Sequence, residues 1–250
     1  MRMNKFLSER GLCSRREADA LIAAGRVTIN GVVATLGTQA ADTDDVRVDG
    51  QTAGAPSRHV YLALNKPPGI ECTTDARAAD NIIEFIGHPE RIFPIGRLDK
   101  ESSGLILLTN DGDIVNRLLR AENAADGAHE KEYVVTVDRP LTPAFLTQMA
   151  TGVPVLDTVT RPCKVFAVGR NTFHIVLTQG LNRQIRRMCE YFEYNVRDLV
   201  RIRFVNVTLD RLGLGEWRNL TQAELRGLLP AHFGAPASAT PNPPRRRSAP

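Results

Sequence analysis

The sequence is poor in the patterns that build metal, redox and membrane sites. It has only four cysteines, none forming a CxxC pair, and its five histidines are scattered along the chain. Because metal ligands and redox cysteines occur at short characteristic spacings, we assign no metal site and expect reduced thiols. No apolar stretch approaches the length of a membrane span, and the opening MRMNKFLSER lacks the apolar core of a secretory signal. We therefore expect a cytoplasmic protein without a membrane partner.

What is present is the composition of an ordinary globular protein with a small excess of positive charge. Hydrophobic residues make up 42% and charged residues 24% of the 250 residues, which is enough for a substantial core. This length suits one large domain, or one large and one small domain. The net charge of +4 is compatible with a polyanionic partner but does not require one.

The first fifty residues have the pattern of a small module built from two helices and a hairpin. We predict helices over residues 3–10 and 15–24, the second begun by a capping box of Ser14 and Glu17. Asn30-Gly31 between two β-branched runs predicts a tight hairpin. We assign residues 1–52 to this first domain, and we predict that QTAGAPSR, residues 51–58, forms a linker.

From residue 59 to residue 232, strand-like runs alternate with single short helices. Short turns join several of the runs, so antiparallel pairing should be frequent, and we predict an α+β fold for this second domain. Residues 182–192 are predicted to form a basic helix, and VRDLVRIRFVNVTL is predicted to start as a connection and end as a strand. Residues 235–250, rich in Ala and Pro and containing three consecutive arginines, are predicted to be a disordered tail.

Basic side chains gather in the first module and again near residue 185. In the module, charge alone is equally compatible with a solvated surface and with contacts to phosphate groups. Two neighbouring arginines begin its second helix, and a helix N-terminus favours anions. This placement favours phosphate contacts by the basic residues Lys5, Arg15, Arg16 and Arg26.

The second basic stretch, QGLNRQIRRMCEYF, places three arginines close together on the predicted helix. Arg186 lies nearer than Arg183 and Arg187 to the apolar side of that helix. A partly buried arginine needs a carboxylate or phosphate partner. A structural ion pair and an arginine directed at a catalytic carboxylate both remain open.

The stretch GRLDKESSGLILLTNDG, residues 96–112, places Asp99 directly before a predicted buried strand. A carboxylate there would be partly desolvated and would need a cation such as Arg97 or Arg186. By itself this pattern indicates a structural ion pair and an active-site carboxylate equally well. Tyr133, near the start of another predicted strand, is by itself more typical of a core residue.

Taken together and in order, GRLDKESSGLILLTNDG, the Lys-x-Tyr of residues 131–133 and NRQIRRM resemble the RsuA/RluB/RluE/RluF-type family of pseudouridine synthases. The first module resembles an S4-type RNA-binding domain, and together the two resemblances cover roughly residues 2–230. GLNRQIRRMCE and LGEWRNLT are most similar to the F subfamily of large-subunit ribosomal RNA enzymes. The resemblance implies a catalytic domain with a mainly antiparallel mixed sheet.

The resemblance also implies roles for individual residues. Asp99 matches the essential carboxylate, Tyr133 the residue that stacks on the target uracil, and Arg186 the arginine that pairs with the aspartate. Arg97 is expected to fill the stack vacated by a flipped base, and Ile185 to form an apolar wall of the pocket. Further RNA contacts are expected from the neighbouring residues Asn182, Arg183 and Arg187.

The implied reaction breaks the N1–C1′ bond of a uridine and rejoins the ring through C5. It involves no redox change and no group donor, so we expect no cofactor. Ribosomal RNA, most naturally 23S RNA, is the expected partner of a monomeric enzyme, with a tRNA anticodon loop as the alternative. Asp99 acts either as a base toward the C2′ proton, the route favoured by the resemblance, or as a nucleophile at C1′ or C6.

Two other classes of protein remain open at this point. One is a non-catalytic RNA-binding factor for ribosome assembly. The other is a hydrolase acting on nucleosides, which would need a pair of carboxylates. Glu101 is the nearby residue that could supply the second carboxylate.

Overall fold

The computed structural model describes residues 1–121 and 129–234, so the predicted tail at 235–250 lies outside the described residues. Within these ranges the helices are α1 (Met3–Glu9), α2 (Arg15–Ala23), α3 (Ile82–Ile86), α4 (Gly112–Ala121), α5 (Pro143–Thr151), α6 (Gln184–Tyr191), α7 (Gln222–Leu228) and α8 (Pro230–Phe233). The strands are β1 (Val27–Ile29), β2 (Val32–Val33), β3 (Val46–Val48), β4 (Gln51–Thr52), β5 (Tyr61–Lys66), β6 (Phe93–Ile95), β7 (Ser103–Thr109), β8 (Lys131–Val137), β9 (Pro154–Val155), β10 (Thr158–Val159), β11 (Lys164–Ala167), β12 (Thr172–Leu177), β13 (Val196–Phe204), β14 (Val207–Thr208) and β15 (Trp217–Asn219). Every helix in these ranges is too short or too polar to traverse a bilayer.

The first module packs α1 and α2 beside a four-stranded sheet in the order β2-β1-β3-β4. The predicted capping box is present: Glu17 N donates to Ser14 Oγ at 3.1 Å, and Ser14 N donates to Glu17 Oε2 at 2.6 Å. Asn30 and Gly31 have φ values of 49° and 82°, as a tight hairpin with two left-handed residues requires. Phe6 and other apolar residues of both helices close a core of their own against this sheet.

The predicted linker over residues 51–58 is wrong in its first part. Asp49 and Gly50, at φ 51° and 78°, form a second tight turn that returns the chain as β4. Ala53 is buried in the core of the module, and Gly54 O accepts a hydrogen bond from Arg10 Nε at 2.9 Å. This strand could not be predicted from the sequence, because both of its residues are exposed and only the small apolar residue that follows them, Ala53, faces the core.

The second part is a large mixed sheet in the order β11-β12-β8-β13-β7-β5-β15, with β14 added at β13 and β6 at β7. Its pairings are antiparallel except that of β13 with β7, where Val200 lies opposite Ser103 and Arg201 opposite Gly104. The predicted α+β fold with a mainly antiparallel mixed sheet is confirmed. Alternate residues of β7 enter two cores: α3, α5 and α6 cover one face, whereas α4 and α7 cover the other.

Two local predictions near the later strands are wrong. The stretch from Val196 is a strand from its first residue, because it pairs along its length with β8. The basic helix α6 begins at Gln184 rather than at residue 182. Arg183 precedes it in a left-handed conformation at φ 50°, so it is a cap residue and not part of the first helical turn.

Gly104 is required where β7 pairs with β13. Its φ is +100°, and a Cβ placed on it would overlap the carbonyl oxygen of Arg201 and lie 2.7 Å from Arg201 N. We expect Gly104→Ala to lower the free energy of unfolding by about 3 kcal/mol or more. In Gly169→Ala, the matched control, the new Cβ meets nothing nearer than 3.6 Å. Urea titration of both variants measures the difference, and equal midpoints would contradict this account.

All four cysteines are free thiols, and three of them are buried. Burial raises the pKa of each thiol, to about 11 for Cys163 and to about 12 for Cys189. We therefore expect the native protein to resist iodoacetamide at about pH 8, because the reactive thiolate is scarce. Counting labelled thiols by mass before and after unfolding checks this, and rapid native labelling of any cysteine would contradict it.

Candidate active site

A cavity of about 1050 Å³ opens over the large sheet. Its wall consists of the segments 71–74, 93–102 and 179–185, together with side chains from α4, β8, β12 and β13. The segment 93–102 contains the GRLD motif, and the segment 179–185 leads into α6. The structure thus brings three separate stretches of the sequence to one opening. This volume is similar to that of the largest small-molecule binding sites in proteins.

Asp99 lies on the cavity wall, four residues before β7. Its side chain is 28% exposed, so it faces the cavity without being fully solvated. Backbone hydrogen bonds hold the loop at Asp99 itself and at the residue that follows it. Ser102 N donates to Asp99 O at 3.1 Å, and Gly69 N donates to Lys100 O at 2.8 Å.

Arg186 reaches Asp99 from the first turns of α6, behind the cavity wall. Its Nε lies 3.7 Å from Asp99 Oδ2, which is ion-pair distance but too long for a hydrogen bond. Its Nη2 donates to Ser102 Oγ at 3.2 Å. Among the described residues, the buried Nε finds no hydrogen-bond partner. The pair therefore has room to close, as catalytic contacts in empty sites often do.

Tyr133 and Ile185 supply the apolar part of the wall. Tyr133 stands on β8 and is 9% exposed, and Ile185 is the second residue of α6, next to Arg186. Both side chains also belong to the core between the sheet and α3, α5 and α6, which fixes their positions. An aromatic face and a carboxylate consequently share one partly dry cavity.

Lys66 is a structural support of the site that the sequence analysis did not single out. The residue is completely buried, and its Nζ donates to Pro67 O and Ile70 O at 2.8 Å and to Lys100 O at 3.3 Å. Burial lowers its pKa. Because the three carbonyls belong to the turn after β5 and to the loop of Asp99, one ammonium ties these segments together. Its only signal in the sequence is a lysine that ends an apolar strand before Pro-Pro-Gly.

Of the other predicted residues, Arg97, Asn182 and Arg183 line the cavity, whereas Arg187 does not. Arg97 is exposed. Arg183 Nη1 lies 3.0 Å from Glu101 Oε2, and Arg187 Nε donates to Asn182 O at 3.1 Å. The pKa of Glu101 is lowered, first by a hydrogen bond from its own backbone and then by Arg183. An ionised, exposed Glu101 is poorly suited to be the general acid of a two-carboxylate hydrolase.

The basic residues predicted in the first module lie elsewhere, and the structure does not bring them to the cavity. Lys5 Nζ and Arg15 Nη2 lie 2.7 and 3.7 Å from the carboxylate of Asp113 at the start of α4. Arg26 forms a double hydrogen bond with Asp49, whereas Arg16 is exposed. Lys5 and Arg15 therefore connect the module to the second part of the protein.

In the part of the chain that is described, His, Cys, Asp and Glu side chains form no group of three that could hold a metal ion. The chemically active groups at the cavity are three carboxylates, those of Glu71, Asp99 and Glu101, together with Tyr133 and several cations. Such a set can move a proton, stack on a planar ring and bind anions.

Comparison with known proteins shows the same two parts. Residues 60–191 match the model of the RNA pseudouridylate synthase family, and residues 1–46 match the S4 domain. The dual-specificity RNA pseudouridine synthase RluF of Escherichia coli (strain K12) is 54% identical over 227 residues, which are 90% of this chain and 77% of that protein.

More distant relatives give the same result. Ribosomal large subunit pseudouridine synthase B of Bacillus subtilis is 35% identical over 91% of this chain and 95% of its own length. A crystal structure of a pseudouridylate synthase superimposes with a TM-score of 0.67 at 28% identity, over 92% of this chain and 100% of that one. The chain belongs to the RNA pseudouridylate synthase family, whose members isomerise uridine to pseudouridine in RNA, and it is an enzyme of that kind with an S4 domain at its start.

Proposed function

We propose that this enzyme modifies a uridine of 23S ribosomal RNA and that Asp99 is its catalytic carboxylate. The observation that carries the assignment of Asp99 is its position on the cavity wall, 3.7 Å from Arg186 and in the same cavity as Tyr133. The RNA is inferred from relatives named for the large ribosomal subunit and for dual specificity. A tRNA anticodon loop is the second candidate, because dual specificity implies two kinds of target.

The target uridine must leave the RNA stack before it can enter the cavity. Flipping a base out costs a few kcal/mol, which contacts in the flipped state must offset. Tyr133 offers its ring to the uracil face, and Ile185 closes the pocket beside it. Arg97, exposed at the mouth, is placed to stack where the base has left.

In the proposed route, Asp99 takes the C2′ proton while the N1–C1′ bond breaks. The sugar becomes a glycal, and the electron pair of the broken bond leaves with the uracil ring. The ring rotates on Tyr133, and its C5 bonds to C1′ while Asp99 returns the proton to C2′. C5 then loses its proton and N1 gains one, so the product is an isomer of uridine. Arg186 orients Asp99, since its Nε lies 3.7 Å from Asp99 Oδ2 while its Nη2 donates to Ser102 Oγ.

All the groups in this route come from one chain, so we propose that a monomer carries the complete site. The route needs no cofactor, because no electrons are exchanged with another molecule. Ribosomal RNA as substrate places the enzyme in the cytoplasm.

Arg16 and Arg26 of the S4 domain are proposed to bind RNA phosphates. We expect Arg16→Gln with Arg26→Gln to weaken RNA binding and to reduce the slope of log affinity against log salt by about 2. Arg139→Gln is the control, because Arg139 is an exposed arginine of the second domain outside the cavity. Filter binding at several salt concentrations measures the slopes. An unchanged slope in the double variant would exclude these two phosphate contacts.

The test of the substrate uses ribosomal RNA and tRNA from cells that lack this protein. Each RNA is incubated with the purified enzyme, labelled with carbodiimide and read by primer extension. One new stop in 23S RNA is the expected result. Stops confined to tRNA would replace the proposed substrate with the second candidate.

A further inference from the structure

A buried arginine, Arg201, forms part of the cavity wall and has no part in the route described so far. The residue is 4% exposed, and its Nε donates to Leu105 O at 2.6 Å. Across residues 1–121 and 129–234, no carboxylate lies within ion-pair distance of its guanidinium. A buried cation without an anionic partner is costly, so its charge calls for an explanation.

The position of Arg201 in the sheet places it beside the proposed binding site of the uracil. On β13 it lies directly opposite Tyr133 of β8, so the two side chains leave the same face of the sheet. On its other side it lies opposite Gly104 of β7, the strand that follows the loop of Asp99. Arg201 is therefore next to the ring proposed to hold the uracil.

Arg203, two residues further along β13, shows how the protein pairs a partly buried arginine that has only a structural role. Arg203 Nε and Nη2 lie 2.9 and 3.0 Å from the carboxylates of Glu132 and Glu130, and its Nη1 donates to Val205 O at 2.8 Å. Arg203 does not line the cavity. The two glutamates beside β13 balance the charge of the Arg203 guanidinium. At Arg201 the chain supplies one carbonyl oxygen and the ring of Phe204, whose centroid lies 5.8 Å from the guanidinium carbon, although a guanidinium carries five N–H donors.

We propose that the missing anion is the uracil itself, at the moment it is detached from the sugar. This inference rests on the proposed route, in which the C2′ proton passes to Asp99 and the N1–C1′ electron pair leaves with the ring. The detached uracil then carries one negative charge, shared among N1, O2 and O4. Arg201 donates N–H bonds to a carbonyl oxygen of that ring.

The interaction strengthens as the bond breaks. In bound uridine the carbonyl oxygens are neutral acceptors, and in the transition state they gain negative charge beside Arg201. A donor that meets developing charge lowers the barrier more than it improves substrate binding. Arg201 is thus a catalytic residue whose loss reduces the rate constant of the chemical step and not the affinity for RNA.

The experiment measures single-turnover conversion by full-length Arg201→Gln and Arg201→Lys, with Arg203→Gln as the matched control. We expect the rate constant of Arg201→Gln to fall about 100-fold, with RNA affinity changed less than about threefold. Arg201→Lys, which keeps the charge but not the planar fork, should lose about tenfold. Arg203→Gln should lose stability and keep its rate constant. A rate constant within threefold of wild type in Arg201→Gln would overturn the proposal.

A second readout separates this role from a structural one. An RNA with 5-fluorouridine at the target position has a ring that carries negative charge more readily, so it depends less on Arg201. We expect Arg201→Gln to consume this nucleoside with a smaller loss than it shows with uridine. Equal losses on both RNAs, together with a lowered unfolding midpoint, would show that Arg201 acts only through the fold. If wild type converts tRNA and not ribosomal RNA, the proposed substrate fails, and the same comparisons decide the role of Arg201 on tRNA.

Discussion

Replacing Asp99 with asparagine will abolish turnover and leave RNA binding nearly unchanged. The amide has almost the same shape as the carboxylate, but it can neither take the C2′ proton nor act as a nucleophile. We expect activity below about 1% of wild type and an RNA affinity within about tenfold of it. Single-turnover conversion and filter binding on one RNA measure the two quantities separately.

The matched control is Asp80→Asn. Asp80 Oδ2 lies 2.9 Å from Nζ of Lys100, the residue that follows Asp99 in the sequence. Asp80 itself does not line the cavity. Its variant should convert uridine at close to the wild-type rate. An Asp99→Asn enzyme that kept more than about 1% of activity would remove Asp99 from the chemistry, since general-base catalysis alone is worth more than that.

Replacing Arg186 with lysine should be almost as damaging, although the charge is retained. The guanidinium presents Nε to Asp99 and donates from Nη2 to Ser102 at the same time. A single ammonium cannot occupy both positions, so Asp99 would lose its orientation. We expect about a 100-fold fall in the rate constant with little change in RNA affinity.

Arg218→Lys provides the comparison for Arg186→Lys. Arg218 is also partly buried, and it is paired with Glu224 by two hydrogen bonds of 2.7 and 2.9 Å outside the cavity. Arg218→Lys should lower the free energy of unfolding and leave the rate constant of uridine conversion unchanged. If Arg186→Lys behaved in the same way as this control, Arg186 would be a structural residue and not a positioning residue of the active site.

Local features of the fold were predictable where the sequence carries a specific stereochemical signal. Ser14 with Glu17 and Asn30 with Gly31 are such signals, and the structure has the predicted helix start and hairpin. The start of α6 was not predictable, because Arg183 adopts a left-handed conformation that glycine usually signals. The β4 strand was missed because it consists of two exposed residues, which show no alternation of apolar and polar side chains.

The site was predictable only through the resemblance of whole motifs. Asp99, Tyr133 and Arg186 are far apart in sequence, and they meet because β13 lies between β7 and β8. No periodicity in the sequence dictates that order of strands. Lys66 was missed because it is a single basic residue at the end of an apolar strand, and Arg201 because it is one of three arginines of β13 that the sequence pattern does not distinguish. The structure shows both of them buried beside the site.

The central claim is that this cavity isomerises uridine without releasing the base. The most direct test digests RNA to nucleosides after reaction with wild-type enzyme and measures uridine, pseudouridine and free uracil by chromatography and mass. The account predicts one pseudouridine gained for each uridine lost, no change in RNA mass and no free uracil. Accumulation of free uracil would show a hydrolase, and bound but unaltered RNA would show a scaffold; either result would contradict the account.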